Sequence, residues 1–112
     1  MKEVIEWAEF TLKPGVGEAE LQRGSEGLER DFLAGLPGYI RRELVRLDER
    51  RYVDLVWWAS HADAEKAMAQ AAESQACATY FGPMEMNAES AEAGVRHYAV
   101  VARYGAPVST AA

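Results

Sequence analysis

The sequence is poor in the residues that build disulfides and metal centres. Of its 112 residues only one is a cysteine, Cys77, and two are histidines. A lone cysteine cannot form an internal disulfide, which favours a reducing compartment, and we interpret Cys77 as a small buried apolar side chain. No spacing of His, Cys, Asp and Glu matches a metal site, so no metal is expected.

Long apolar runs and excess positive charge are also missing. No apolar stretch approaches the length of a transmembrane helix, and residues 1–6 carry acidic side chains where a signal peptide would be apolar. The formal net charge of −6 argues against general binding to nucleic acids or anionic membranes. We therefore expect a cytoplasmic protein with no nucleic-acid partner and no membrane partner.

The most informative segment that is present, residues 52–60, predicts a strand buried on both faces. Side chains alternate between the two faces of a strand. The odd positions are all apolar: Val53, Leu55, Trp57 and Ala59. The even positions mix apolar and polar groups: Tyr52, Asp54, Val56 and Trp58. The odd face therefore needs an apolar partner that excludes water. The even face needs a partner with groups that can form hydrogen bonds to an aspartate and a tyrosine.

The remaining periodicities predict a strand over 4–12, a helix over 18–36, a strand over 39–47, a helix from Ser60 and a strand over 95–104. The charged segment 39–47 suits a sheet edge, and a short turn at 48–50 joins it to the next strand as a hairpin. Residues 77–84 are expected to form a loop or short helical turn, and residues 87–94 a polar connector.

This element order predicts an α+β, ferredoxin-like βαββαβ domain with a four-stranded antiparallel sheet and both helices on one face. The domain should span residues 1–104, with a flexible tail over 105–112. The opposite face of the sheet would leave a large apolar patch in a single subunit. We therefore expect a homodimer in which two sheets cover each other.

Three segments resemble the antibiotic biosynthesis monooxygenase-like family of dimeric α+β barrel proteins: Lys13-Pro14-Gly15, Leu36-Pro37-Gly38-Tyr39, and residues 52–60 with the alanine-rich helix after them. The resemblance implies a homodimer with a small pocket between sheet and helices in each subunit. Some family members oxidise electron-rich aromatic compounds with molecular oxygen and neither metal nor flavin, and others degrade haem. Trp58 matches the tryptophan that lines the pocket of the active members.

The resemblance also disfavours haem as a cofactor. Haem-degrading members carry an asparagine on the first strand, where this chain has Ala8. Their haem-ligating histidine stands about ten residues after the tryptophan, where this chain has Met68. The only asparagine, Asn87, falls in the predicted connector. No cofactor is therefore expected.

Asp54 is the candidate catalytic base, because a carboxylate in an apolar pocket has a raised pKa and could take a phenolic proton. The alternative is a structural acid bonded to an arginine of the neighbouring strand. His97 is a weaker candidate base. The predicted ligand-binding residues are Trp58, Tyr52, Tyr80, Phe81 and Met84, although Tyr80 and Phe81 could instead fill the space between sheet and helices.

Two functions follow as hypotheses. The first is a homodimeric, monooxygenase-like enzyme that oxidises an aromatic or polyketide-type compound without a cofactor. The second is a non-catalytic dimer of the same fold that binds a small hydrophobic or aromatic molecule or has a structural role. A cavity of a few hundred cubic ångströms beside Trp58 would favour the first.

Overall fold

The computed structural model describes residues 2–85 and 95–105. In chain order the elements are β1 (Val4–Thr11), α1 (Glu18–Asp31), a 3-10 turn (Leu33–Gly35), β2 (Tyr39–Arg46), β3 (Arg51–Trp58), α2 (His61–Ala71), α3 (Gln75–Phe81) and β4 (Val95–Ala99). None of the helices in the described residues is long and apolar enough to cross a membrane.

The four strands form one antiparallel sheet in the order β2-β3-β1-β4. This arrangement confirms the predicted α+β, ferredoxin-like fold and places the charged strand β2 at an edge. The β2–β3 hairpin closes at residues 48–50, where the Asp48 carboxylate accepts backbone N–H bonds from Arg50 and Arg51. The central strand β1 pairs with both β3 and β4, so its side chains meet those of the two neighbours on each face.

Three predicted boundaries were wrong. Helix α1 ends at Asp31 rather than at residue 36, because Phe32 leaves helical geometry and a 3-10 turn over Leu33–Gly35 follows it. Residues 75–81 form a true helix, begun by the Ser74 hydroxyl, which accepts a hydrogen bond from the Cys77 backbone N–H at 3.2 Å. Strand β4 ends at Ala99 rather than at residue 104, because its partner there, Val4, is the first residue of β1. The predicted connector, and the tail beyond Gly105, lie outside the described residues.

Two hydrogen bonds, one within the first turn and one to the turn before β2, position the start of α2. The Ser60 side chain accepts a hydrogen bond from the Asp63 backbone N–H at 3.1 Å and so caps the helix that was predicted to begin at Ser60. Ala59 N–H donates to the carbonyl oxygen of Gly38 at 2.8 Å, just before β2. Gly38 has φ of 81°, and a Cβ there would overlap the Asp63 carboxylate. A glycine is therefore required for α2 to lie this close to the sheet.

The two faces of the sheet differ in what covers them. The helix-side face carries the even positions of β3, and Tyr52, Val56 and Trp58 belong to the core that packs against the helices. On the opposite face Trp57 is only 9% exposed, because the Arg41 guanidinium lies 4.2 Å from its ring centroid. The predicted uniformly bare apolar face is thus partly covered by the protein's own charged side chains.

Candidate functional site

A cavity of about 480 Å³ lies between the helix-side face of the sheet and the three helices. Its floor comes from β1 and β3 through Ala8, Val56 and Trp58, and its α2 wall carries Ala67 and Ala71. Small alanines opposite a large indole leave this space open, since a bulkier helix face would fill it. The volume falls within the range of small-molecule sites.

Three half-exposed apolar side chains mark the side on which the cavity opens. Met68, Phe81 and Val95 line it and are 48%, 42% and 43% exposed. They belong to α2, α3 and β4 respectively. The deep end, by contrast, is formed by Trp58 and Tyr80, which are each 2% exposed. A ligand would therefore enter past methionine, phenylalanine and valine and reach the indole and the phenol.

Asp54 lies in the cavity wall within a buried polar cluster. Its Oδ1 is 3.1 Å from the Arg42 Nε, and its Oδ2 accepts a hydrogen bond from the Tyr80 hydroxyl at 2.5 Å. The side chains of Arg42 and Asp54 are only 6% and 10% exposed. Arg42 also donates to the Ser25 side chain on α1. The cluster ties β2, β3, α1 and α3 together, and it matches the structural alternative foreseen for Asp54.

Burial dominates the titration of this cluster. Desolvation raises the pKa of Asp54, although the positive charge of Arg42 and the hydrogen bond from Tyr80 act in the opposite direction. Desolvation, together with the negative charge of Asp54, raises the pKa of Tyr80. The phenol is therefore held neutral as a donor, and the carboxylate is held as its acceptor.

Three buried polar atoms of the cavity wall have no hydrogen-bond partner among the described residues. Two are donors, the indole Nε1 of Trp58 and the Nη1 of Arg42, and the third is Asp54 Oδ1, whose 3.1 Å contact with Arg42 Nε is an ion pair. The nearest acid to Arg42 Nη1 is Glu29, at 4.0 Å. Buried donors are almost always satisfied by protein, water or ligand. A ligand that brings an oxygen acceptor into this cavity would satisfy them.

A second acid, Glu6, also lines the cavity, and it faces the same side of the sheet as Asp54. Its Oε1 lies 3.0 Å from the Nε2 of His97, its direct partner across the β1–β4 pair. The side chains of Glu6 and His97 are 16% and 13% exposed. Desolvation raises the pKa of Glu6 despite the opposing hydrogen bond from His97. The His97 ring meets the ring of His61, at the start of α2, edge to face at 5.3 Å.

The structure brings together four of the predicted site residues and separates the others. Trp58, Asp54, Tyr80 and Phe81 all line the cavity. Tyr80 and Phe81 leave the cavity open rather than filling it.

The predicted ligand contacts of Tyr52 and Met84 do not fit this cavity, because neither residue is part of its lining. Tyr52 lies at the far end of β3, and its hydroxyl donates to Glu18 at 3.0 Å. Met84 is buried where it pairs with Leu12, beyond the end of β1. His97 is not part of the cavity lining either, but it contacts the lining residue Glu6 from the neighbouring strand.

Two charged cavity residues, Arg42 and Glu6, were not among the predicted ones. Arg42 lies opposite Val56, so it shares the helix side with the even positions of β3. This follows from the register of the hairpin, which the sequence left open. Glu6 could have been found only through the register of β1 against β3, since β1 is apolar at both parities.

Other reactive side chains add little to the site. Cys77 lines the cavity as a free thiol, and burial raises its pKa, which disfavours the reactive thiolate. Within residues 2–85 and 95–105, no three His, Cys, Asp or Glu side chains converge as metal ligands would.

Comparison with known proteins identifies the fold. No protein-family model and no curated protein matches the sequence. Among solved structures, SnoaB of Streptomyces nogalater, a cofactor-independent oxygenase, superposes with a TM-score of 0.64 at 22% identity, covering 96% of this chain and 100% of that chain. A Bordetella bronchiseptica protein provisionally named as an antibiotic biosynthesis monooxygenase gives 0.66 at 22% identity, over 91% and 100% of the two chains.

The chain has the antibiotic biosynthesis monooxygenase-like fold. Protein SO0527 of Shewanella oneidensis shares it as well, with a TM-score of 0.61 at 25% identity over 88% of this chain and 91% of that one. In this chain a cavity lies beside Trp58 on β3.

Proposed function

We propose that this protein belongs to the antibiotic biosynthesis monooxygenase-like family and oxidises an electron-rich aromatic or polyketide-type compound with molecular oxygen, without metal, flavin or haem. The observation that carries the proposal is the cavity of about 480 Å³ beside Trp58, apolar apart from a few buried polar groups. The fold shared with SnoaB, a cofactor-independent oxygenase, supports the same reaction type.

The shape and chemistry of the cavity suit a flat, oxygenated ring system. Trp58, Tyr80 and Phe81 offer aromatic surface for stacking or edge contacts. The unpartnered N–H groups of Trp58 and Arg42 would donate hydrogen bonds to carbonyl or phenolic oxygens of such a ligand. Hydrogen bonds to a charged oxygen are stronger than those to a neutral one, so these donors favour the deprotonated form of the ligand.

The proposed chemistry needs only a base and oxygen. Removal of a proton from an activated methylene between two aromatic rings leaves its electron pair on the ring system as an enolate. The enolate passes one electron to oxygen, and the resulting radical and superoxide combine into a peroxide. Loss of water from the peroxide leaves a carbonyl. One methylene and one oxygen molecule thus give one carbonyl and one water, and the protein supplies no electrons.

Oxygen consumption tests this proposal directly. Purified protein, freed of metals by chelation, is mixed with a hydroxylated anthrone or a hydroquinone, and oxygen uptake is followed with an electrode. We expect uptake above the uncatalysed rate and at least a tenfold loss in Trp58→Ala, because the ring loses its stacking surface and one donor. Tyr104→Ala is the matched control, because Tyr104 is 90% exposed and lies outside the cavity lining. Equal uptake with and without protein would refute the proposal.

A second candidate function is ligand binding without catalysis. It is favoured by Asp54, whose two carboxylate oxygens are already engaged by Arg42 and Tyr80. The two functions separate in one experiment, because a binding protein would quench Trp58 fluorescence on adding the same anthrone but consume no oxygen.

We also propose that the protein acts in the cytoplasm as a homodimer, paired through the sheet face that the helices leave free. That face exposes Trp7, Val45 and Tyr98, which are 36%, 37% and 48% exposed. Sedimentation should give a dimer at micromolar concentration, and Trp7→Glu should shift it toward a monomer. Trp7 is the useful fluorescent reporter, since Trp57 is already covered by Arg41 within one subunit. A monomeric wild type would overturn this part of the proposal.

A further inference from the structure

We infer that Glu6, with His97 behind it, is the proton acceptor for the aromatic substrate, an inference that rests on the proposed function. Glu6 is the cavity acid that neither an arginine nor a tyrosine holds in place. Its carboxylate lies in the cavity wall and has a hydrogen bond to one titratable partner, the imidazole of His97.

The contrast with Asp54 supports this assignment. A proton accepted by Asp54 would break its ion pair with Arg42 or displace the hydrogen bond from Tyr80, and both partners are buried. Removing the charge of one member of a buried pair is costly, because the other charge is left without compensation. A proton accepted by Glu6 leaves no arginine unpaired.

His97 orients Glu6 for this step. When a substrate C–H bond breaks, its electron pair stays on the substrate and the proton moves to a carboxylate oxygen of Glu6. The Nε2–H of His97 donates to Glu6 Oε1 at 3.0 Å and so holds the basic carboxylate in the cavity wall. Glu6 then returns the proton to the peroxide anion, whose loss of water leaves the carbonyl.

The surroundings of Glu6 make its carboxylate more basic. The charged and titratable groups that face it are His97 on β4 and Asp54 on β3, with the Trp58 indole beside them and His61 beyond His97 on α2. Desolvation is the largest influence and raises the pKa of Glu6, although His97 and the Trp58 indole act in the opposite direction. A more basic carboxylate accepts a proton more readily.

Deuterium exchange under exclusion of oxygen measures this step without the oxidation. The probe is an anthrone, whose methylene protons exchange with D₂O when a base removes one of them, and NMR follows their loss. We expect wild-type protein to accelerate the exchange and Glu6→Gln to lose about 100-fold of that acceleration. Glu9→Gln is the matched control, because Glu9 lies on the same strand but on the opposite face.

Three further variants test the roles of the neighbours. Asp54→Asn should retain the exchange in whatever fraction of the protein circular dichroism shows to be folded. His97→Gln keeps an N–H donor toward Glu6 and should retain most of the exchange, whereas His97→Leu removes the donor and should lower the rate. Because the hydrogen bond from His97 lowers the pKa of Glu6, the fall in rate at acidic pH should move to higher pH in His97→Leu. Equal rates and pH profiles in the two variants would show that His97 does not position Glu6.

The outcomes distinguish a failure of the role assigned to Glu6 from a failure of the proposed function. Exchange that survives in Glu6→Gln but is lost in Asp54→Asn would overturn the inference and assign the base to Asp54. An anthrone that binds, by fluorescence quenching, without accelerated exchange in wild type would also overturn it while leaving ligand binding intact. An anthrone that does not bind at all would remove both the proposed function and the inference.

Discussion

Two acids face the same cavity, and their partners make them different. Asp54 is held by Arg42, whose charge does not depend on pH in the physiological range, and by the Tyr80 hydroxyl. Glu6 is held by His97, a residue type that gains and loses protons near neutral pH. Both residues are carboxylates in the wall of an apolar cavity. Asp54 therefore stabilises the fold through its buried ion pair, whereas Glu6 is available to exchange a proton.

The largest expected effect on stability comes from breaking the buried ion pair between Arg42 and Asp54. Arg42→Met leaves Asp54 buried without a counter-charge and should lower the free energy of unfolding by about 3–5 kcal/mol. Urea denaturation measures this loss. Arg41→Met, one residue away on the other face of the sheet, should cost about 1 kcal/mol or less, as an exposed side chain.

The double variant Arg42→Met/Asp54→Asn sharpens the same contrast. It removes both charges, so it should be more stable than Arg42→Met alone. If the double variant lost at least as much stability as the sum of the single variants, the two residues would not be acting as a pair.

A smaller loss is expected from the other partner of Asp54. Tyr80→Phe deletes the hydroxyl that donates at 2.5 Å and leaves one carboxylate oxygen unsatisfied, which should cost about 1–3 kcal/mol. Tyr52→Phe is the matched control, since the Tyr52 hydroxyl donates to the partly exposed Glu18. Equal losses in the two variants, by thermal or urea unfolding, would mean that the hydroxyl of Tyr80 contributes nothing special to the cluster.

Glu6 should affect the pH dependence of the free energy of unfolding more than its size at any one pH. The pKa of Glu6 is raised above its ordinary value of 4.5, so its contribution to stability is present below that pH and is lost as the pH rises through the folded-state pKa. Glutamine resembles the protonated acid at every pH. Glu6→Gln should therefore gain stability relative to wild type as the pH rises from acid to neutral, and a constant difference would contradict the raised pKa.

The smallest effect is spectroscopic. Burial and Asp54 raise the pKa of Tyr80, so its phenol should stay neutral in native protein at a pH where an ordinary tyrosine ionises. Tyr80→Phe should therefore leave the native absorbance titration near 295 nm unchanged and reduce only the increase seen on alkaline unfolding. A native titration that loses one phenol in this variant would show that solvent reaches the cluster.

Much of the fold could be predicted from local pattern. The alternation over residues 52–60 separated the two faces of β3, and a helix was expected from Ser60. Both signals come from residues close in sequence. The face that meets the helices was indicated only by the family resemblance, through Trp58. For residues 77–84 a loop and a short helical turn both stayed open, because the 7 residues of α3 are too few to show a helical period.

The site was less accessible to sequence reasoning, because it depends on register. Asp54 and Trp58 were identified from β3 alone, but their neighbours come from other strands. Arg42 reaches Asp54 because the hairpin register places it opposite Val56, on the same face of the sheet as Asp54. Glu6 meets His97 across 91 residues of sequence, a pairing that only the strand order creates. Which acid is fixed and which is free to exchange a proton could not be decided before these pairings were known.

Gly38 ties the turn before β2 to the first turn of α2. The missing side chain at Gly38 leaves room for the Asp63 carboxylate, which accepts a hydrogen bond from the Ser60 hydroxyl at 2.9 Å. Any larger residue at position 38 would have to displace that carboxylate, and the positive φ of 81° there would strain the backbone as well. A single substitution outside the cavity would therefore disturb the cap of the helix that carries the alanines of the cavity wall.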